Sequence, residues 1–212
     1  MAAATTVPNY YLPMLTDALK ILKAFETSAS LSTKEMCFQN DGYLTTTKPT
    51  FPYMQLTPFS DTSAGAWKFH FSVEPNDRNV MAAWSLVVDA LIHDGDKHIA
   101  KVAMPYIWDD LADPEFRQVG KIITFYDTGS YSPQDYMHMI AEIEKRFLDN
   151  GISAGHLPIT NRAIAGSQFA SYKRDCDEDG ERRCKDHDVM HLPREQRHNP
   201  DNRNDPYSSF IL

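Results

Sequence analysis

Residues 66–73 alternate strictly between bulky apolar and polar side chains, and this alternation constrains the chain more than any other stretch. The two sets are Trp67, Phe69, Phe71 and Val73 on one side and Lys68, His70 and Ser72 on the other. A period of two with aromatic and β-branched residues predicts a half-buried β-strand. An amine, an imidazole and a hydroxyl then project from one face at intervals of roughly 6–7 Å. Two interpretations stay open: an amphipathic strand with its polar face in water, and a strand that carries chemistry.

Three amphipathic stretches predict helices around this strand. Residues 79–92 carry one broad apolar stripe, which predicts a helix. Gly95 follows as the residue that breaks this helix. A second helix is predicted to begin at Ser132 and Pro133, to run to about Leu148, and to end at Asn150 and Gly151. Residues 15–25 predict a third helix, which either packs against the body of the protein or docks a partner.

Further strands are predicted at residues 99–103, 120–126 and 168–172. Strands followed by helices predict an α+β fold, with one twisted mixed or antiparallel sheet and helices packed mainly on one side. Residues 27–66 are rich in Ser, Thr and Pro and predict loops with short strands. We divide the chain into residues 1–60, a candidate docking segment or flap, and residues 61–212, a candidate main domain that contains the alternating strand.

Composition limits the class of function. With 212 residues, 42% of them hydrophobic, the chain can bury one sizeable core. A net charge of -8 argues against nucleic acid or an anionic membrane as a partner, so an anion site would need a local concentration of Lys and Arg. Three cysteines are too few for a disulfide framework and favour a reducing compartment. We expect a monomer.

Two further patterns suggest metals. The stretch from Asp175 to Asp186 imitates a calcium loop, although Arg182 stands where an apolar residue is usual. Cys176, Cys184, His187 and His191 have loosely zinc-like spacing but lack a Cys-x-x-Cys knuckle. Both patterns are weak, and we expect no metal and no cofactor.

The ordered motifs resemble a known family. The matching stretches are 68–72, 101–102, 120–126, 171–173, 177–180 and 205–207. Their order and separations resemble those of the phosphothreonine lyase effectors (OspF/SpvC type) that pathogenic bacteria inject into host cells. The resemblance covers residues 60–212 and implies β-elimination of phosphate from a phosphothreonine without a metal. It also implies secretion, delivery into the host cytoplasm, and a host phosphoprotein such as a MAP kinase as partner.

The resemblance implies roles for individual residues. Lys101 is the base for the α-proton, His70 the acid for the leaving oxygen, and Lys68 holds the phosphate or the developing enolate. Tyr126 orients the base or the phosphate. The cations expected around the phosphate are Arg117, Lys121, Lys173 and Arg174. A lysine base needs its pKa lowered from about 10.4 toward about 7–8, which burial near other cations supplies.

Departures from the family motifs keep alternatives open. Lys173 stands where the family has an arginine, and so loses the bidentate fork. Glu178 replaces another arginine of the family motif. One alternative is a binding module that has lost catalysis. Another is an ADP-ribosyl transfer enzyme that uses Glu115 with Arg117 or Arg162, although these residues form no motif.

Overall fold

The alternating strand lies in the interior of a sheet. A computed structural model describes residues 36–40, 43–47, 52–58, 67–93, 98–116, 118–174 and 205–212. These residues form eight strands: β1 Met36–Asn40, β2 Tyr43–Thr47, β3 Tyr53–Pro58, β4 Trp67–Phe71, β5 Ala100–Ala103, β6 Ile123–Tyr126, β7 Arg162–Ala163 and β8 Ala170–Arg174. The strand order is β1-β2-β3-β5-β6-β4-β8-β7, and every neighbouring pair is antiparallel. The predicted α+β fold is confirmed.

Three helices accompany the sheet in the described residues: α1 Asp77–His93, α2 Trp108–Ala112 and α3 Pro133–Asp149. A 3₁₀ turn, Pro105–Ile107, precedes α2. Ser132 caps α3 with a capping box, in which its side chain accepts from the Asp135 N–H and the Asp135 carboxylate accepts from the Ser132 N–H. The helices predicted at residues 79–92 and 133–148 are thereby confirmed, whereas the one predicted at residues 15–25 lies outside the described residues.

The apolar face of β4 is the centre of the core. The Phe69 ring stacks on Phe125 of β6 at 4.8 Å and on Tyr136 of α3 at 5.5 Å, measured between ring centroids. Phe71 meets Phe147 of α3 edge-on at 5.2 Å. An Arg146–Asp89 ion pair of 2.7 Å ties α3 to α1. The long helices therefore pack on the face of the sheet opposite His70.

The chain terminus described at residues 205–212 closes this core. Tyr207 is buried against Trp67, with ring centroids 5.4 Å apart, and its hydroxyl donates to Asp127 at 2.8 Å. Asp205 accepts from the Tyr172 hydroxyl at 2.9 Å. The motif at residues 205–207 therefore braces the strands from the helical side.

The first 60 residues contribute to the same sheet. β3 pairs with β5, with Tyr53 opposite Ala103 and Gln55 opposite Lys101. The sheet is thus continuous across the boundary drawn between residues 60 and 61. A separate docking or flap function for residues 1–60 stays a prediction. None of the described helices is both long and apolar enough to cross a membrane.

Candidate active site

Four side chains form a row across the centre of the sheet. Thr124 of β6 lies opposite Lys101 of β5 and also opposite His70 of β4, which in turn lies opposite Ser171 of β8. Residues opposite one another in antiparallel strands point to the same face. Strands lie about 4.8 Å apart, so the His70 and Lys101 Cα atoms, two strands apart, are separated by about 10 Å. Side chains of this length can reach one substrate from those positions.

The polar face of β4 is buried, unlike that of an ordinary amphipathic strand. His70 is only 2% exposed and Ser72 is fully buried. Segment 153–161 packs against the end of the strand, where the Gly155 N–H donates to the Ser72 carbonyl at 2.9 Å. The interpretation with the polar face in water is therefore wrong, because a loop distant in sequence covers it.

The electrostatic setting of His70 is cationic. Burial, and then the charges of Lys68, Lys121, Lys101 and Lys173, hold the pKa of the His70 imidazole well below its ordinary value. As the pH falls, the His70 ring therefore stays neutral to a lower pH than a histidine in water does. On a chain of net charge -8, four lysines acting on one imidazole are a local concentration of positive charge.

Two of these lysines stand in the next row of the same face. Lys68 lies opposite both Tyr126 of β6 and Lys173 of β8. Lys173 is 5% exposed, so its amine is held inside the site rather than in solvent. The structure thus brings Tyr126 and Lys173 to either side of Lys68.

Lys121 reaches the site from a tight turn before β6. It is 4% exposed and follows Gly120, whose φ of 71° is a left-handed conformation that favours glycine. The Ser72 hydroxyl donates to the Gly120 carbonyl at 2.7 Å. A Cβ at Gly120 would lie only 1.7 Å from the His156 carbonyl oxygen. Close backbone contact therefore fixes the direction of Lys121.

Two aromatic rings flank the predicted base. The Lys101 ammonium lies 4.6 Å from the centroid of the Tyr53 ring and 5.6 Å from that of the Tyr126 ring. Tyr126 was singled out by the sequence, whereas Tyr53 was not. Tyr53 belongs to a Ser-, Thr- and Pro-rich segment whose composition indicates loops, and no periodicity there marks it.

Asn161 is a second residue that the sequence did not reveal. It is 6% exposed, and its Nδ2 lies 2.7 Å from Nδ1 of His70 and donates to the Ser171 hydroxyl at 3.1 Å. With this amide orientation Nδ1 accepts, so the neutral ring carries its proton on Nε2. Asn161 supplies a dipole and no charge, and so places no negative charge beside Nδ1 of His70.

Two predicted phosphate-binding arginines are not among these residues. Arg174 lies opposite Trp67, and its guanidinium carbon is 5.9 Å from the Trp67 ring centroid. Arg174 therefore lies on the face opposite His70, because alternate residues of a strand point to opposite faces and Lys173 lies on the His70 face. Arg117 lies outside the described residues.

The alternative constellations receive no support from the geometry of the described residues. Arg162 pairs with Asp205 at 2.9 Å and lies opposite Tyr172, on the helical face of the sheet. Glu115 is exposed in the loop after α2. No group of three His, Cys, Asp or Glu that could hold a metal ion occurs in the described part of the chain, and the calcium-like and zinc-like patterns lie outside it.

Comparison with known proteins identifies the fold. No family model matches the chain, and no curated protein matches its sequence significantly. Among solved structures, the phosphothreonine lyase SpvC, an effector from Salmonella, is 18% identical over 78% of this chain and 91% of its own, with a TM-score of 0.53. The phosphothreonine lyase OspF from Shigella flexneri is 16% identical over 76% and 91%, with a TM-score of 0.51. The VirA (SpvC) lyase effector of Chromobacterium violaceum is 16% identical over 76% and 86%, with a TM-score of 0.50.

These similarities define a fold class. The chain has the fold of the phosphothreonine lyases, as the sequence resemblance predicted. The site on this fold can offer an amine, an imidazole and several ammonium groups to one anionic substrate. Those are the groups needed to take a proton, protonate a leaving oxygen and balance a phosphate.

Proposed function

We propose that this protein is a lyase that removes phosphate from a phosphothreonine by β-elimination. The observation that carries the proposal is the row Lys101–Thr124–His70 on one face of the sheet, with Lys68, Lys121 and Lys173 adding charge around the buried imidazole. The fold that this chain shares with known phosphothreonine lyases supports the same reaction.

The side chains of the site account for both protons that are transferred in this reaction, and no water is consumed. The neutral amine of Lys101 takes the proton from Cα, and a Cα=Cβ double bond forms as the Cβ–O bond breaks. The oxygen of the departing phosphate receives a proton from His70. The products are inorganic phosphate and a dehydrobutyrine residue.

The lysines also make the protonation of His70, the proposed acid, depend on bound substrate. In the free protein their charges oppose protonation of His70. A phosphate dianion bound among them reverses that field and favours the imidazolium. Binding of substrate thus loads the acid with its proton. Lys68, between Tyr126 and Lys173, is placed to hold the phosphate or the enolate oxygen.

The substrate we propose is a phosphoprotein of a host cell, a MAP kinase being the candidate carried over from the family resemblance. The similar structures include a type III effector of Shigella flexneri and effector proteins from Salmonella and Chromobacterium violaceum. By that analogy this chain is secreted by a bacterium and acts in the host cytoplasm.

Mass spectrometry of phosphopeptides tests the reaction directly. Incubation with a phosphothreonine peptide should remove the mass of phosphoric acid, H₃PO₄, whereas a phosphatase would remove only that of HPO₃. A phosphotyrosine peptide is the control, because an aryl phosphate cannot undergo this elimination and should stay intact. Loss of HPO₃ from either peptide, or no reaction with a phosphothreonine peptide library, would contradict the proposal.

Variants assign the roles. Lys101→Ala should abolish turnover, because we assign the α-proton to no other group. His70→Ala should slow elimination by about 10²–10⁴-fold with phosphate, and by less with a better leaving group. Lys68→Ala should raise KM if it holds the ground-state phosphate, and should lower kcat if its contact forms only in the transition state. Near-wild-type turnover by Lys101→Ala would refute the assignment.

A further inference from the structure

The Tyr53 ring lies closer to the Lys101 ammonium than any other aromatic ring in the described residues. Its centroid is 4.6 Å away, against 5.6 Å for Tyr126. The Tyr53 ring is 9% exposed and Lys101 is half-buried, so the contact is partly shielded from water. Cations facing an aromatic ring at such distances are attracted to its negative face, most strongly where they are desolvated.

The sheet register makes this contact a fixed one. Gln55 lies opposite Lys101, and Tyr53, two residues earlier on β3, lies opposite Ala103. Diagonal neighbours two residues apart share a face and lie within reach of an aromatic side chain. Tyr53 therefore approaches Lys101 from β3, and Tyr126 approaches it from β6.

We propose that Tyr53 is a positioning residue for the predicted base, holding the protonated Lys101 side chain over the face of its ring until the proton is lost. This inference rests on the proposed lyase function. A ring face attracts the ammonium but not the neutral amine, so it opposes deprotonation of Lys101. The neighbouring cations favour deprotonation. The ring and the cations together set the pH at which the base becomes active.

The groups that affect the protonation of Lys101 come from several elements. Tyr53 of β3 and Tyr126 of β6 flank the amine, and His70 lies beyond Thr124 in the same row. The amines grouped with His70 are those of Lys68, Lys121 and Lys173. Replacing only the ring at position 53 leaves all these charges in place.

The test compares Tyr53→Phe, which keeps the ring, with Tyr53→Leu, which keeps apolar bulk and removes the ring. The Lys101 titration is followed by NMR of its ¹³Cε–¹Hε signal, assigned by its loss in Lys101→Arg. We expect Tyr53→Phe to titrate like the wild type. We expect the Tyr53→Leu midpoint to fall by about 0.4–1.5 pH units. Equal midpoints in the two variants, or a rise in Tyr53→Leu, would overturn the proposal.

Two further measurements keep the result decisive. If Tyr53→Leu does not fold by circular dichroism, phenylalanines of increasing fluorine content at position 53 keep the shape while weakening the ring quadrupole. The midpoint should then fall stepwise with fluorination, and a constant midpoint would overturn the proposal. The NMR titration needs no turnover, so its outcome is independent of lyase activity. Where activity is present, the rising limb of the pH–rate profile should shift with the NMR midpoint.

Discussion

The amide nitrogen of Asn161 lies 2.7 Å from Nδ1 of His70, from a loop that comes late in the chain. This contact anchors the imidazole through Nδ1 and does not involve Nε2, the other ring nitrogen. The ring orientation is therefore fixed by a neutral group, whereas burial and then the lysine charges keep the ring neutral.

Asn161→Asp should change the charge state and leave the anchor in place. A carboxylate beside Nδ1 favours the imidazolium, so the His70 pKa should rise by about 1–3 units. NMR titration of the His70 ring C–H signals measures this directly. The falling limb of a pH–rate profile should move to higher pH with it. Asn161→Leu, which provides neither charge nor hydrogen bond, is the control: loss of the donor to Nδ1 can itself raise the His70 pKa, so a shift in Asn161→Leu as large as that in Asn161→Asp would contradict a role for the carboxylate charge.

The lowered pKa of His70 also predicts how stability depends on pH. Unfolded His70 binds a proton below about pH 6.5, whereas the folded ring does not until its own lower pKa is reached. The folded state therefore loses stability as the pH falls below about 6.5. His70 lowers the free energy of unfolding by up to about 1.4 kcal/mol per pH unit.

Urea unfolding of the wild type and of His70→Gln between about pH 7 and pH 5 checks this slope. The variant should show a shallower dependence of the free energy of unfolding on pH. Saturating inorganic phosphate should flatten the wild-type slope, since a bound dianion raises the His70 pKa. Identical slopes with and without the imidazole would show that His70 is not held neutral.

Lys173 and Arg174 are neighbours in sequence with opposite places in the sheet, which makes them a matched pair. Lys173→Met removes a buried charge from the His70 face and keeps the volume. We expect the affinity for phosphopeptide to fall about 10- to 100-fold. Arg174→Met acts on the Trp67 face and should change affinity by less than about twofold. Calorimetry or KM values will measure both affinities, and equal losses would show that Arg174 also contributes to phosphate binding.

Gly120 and Gly129 form another matched pair, because both have φ = 71°. A Cβ at Gly129 meets nothing within 4 Å, whereas one at Gly120 would strike the His156 carbonyl. Gly129→Ala should lower the free energy of unfolding by about 1–2 kcal/mol through backbone strain alone. Gly120→Ala should lower it by more than about 3 kcal/mol and displace Lys121. Equal losses in denaturant unfolding would show that the turn gives way easily.

Periodicity predicted the parts of the site that lie on strands. The alternation in β4 placed Lys68 and His70 on one face, because side chains in a strand have a period of two. Arg174 was assigned to the phosphate from the family resemblance and not from periodicity, and the strand was predicted to end at residue 172. Once β8 is extended, the period sends Arg174 to the Trp67 face.

The residues that the sequence did not reveal depend on contacts between distant segments. Asn161 lies outside any periodic pattern, and only the packing of segment 153–161 brings it to His70. Tyr53 reaches Lys101 through the register of β3 and β5, which local composition does not encode. Burial of the polar face of β4 has the same origin, since a strand pattern cannot show which loop will cover it.

The position of β4 in the sheet has a consequence for folding. Both of its partners, β6 and β8, come much later in the chain, and β6 alone links β4 to β5 and β3. Pairings between distant segments require the closure of long loops, which slows folding. During synthesis the strand bearing His70 emerges before either neighbour exists, and the backbone edge that pairs with β8 stays open until β8 arrives. A nascent or truncated chain that stops before residue 170 should therefore bind chaperones and aggregate rather than assemble half of the site.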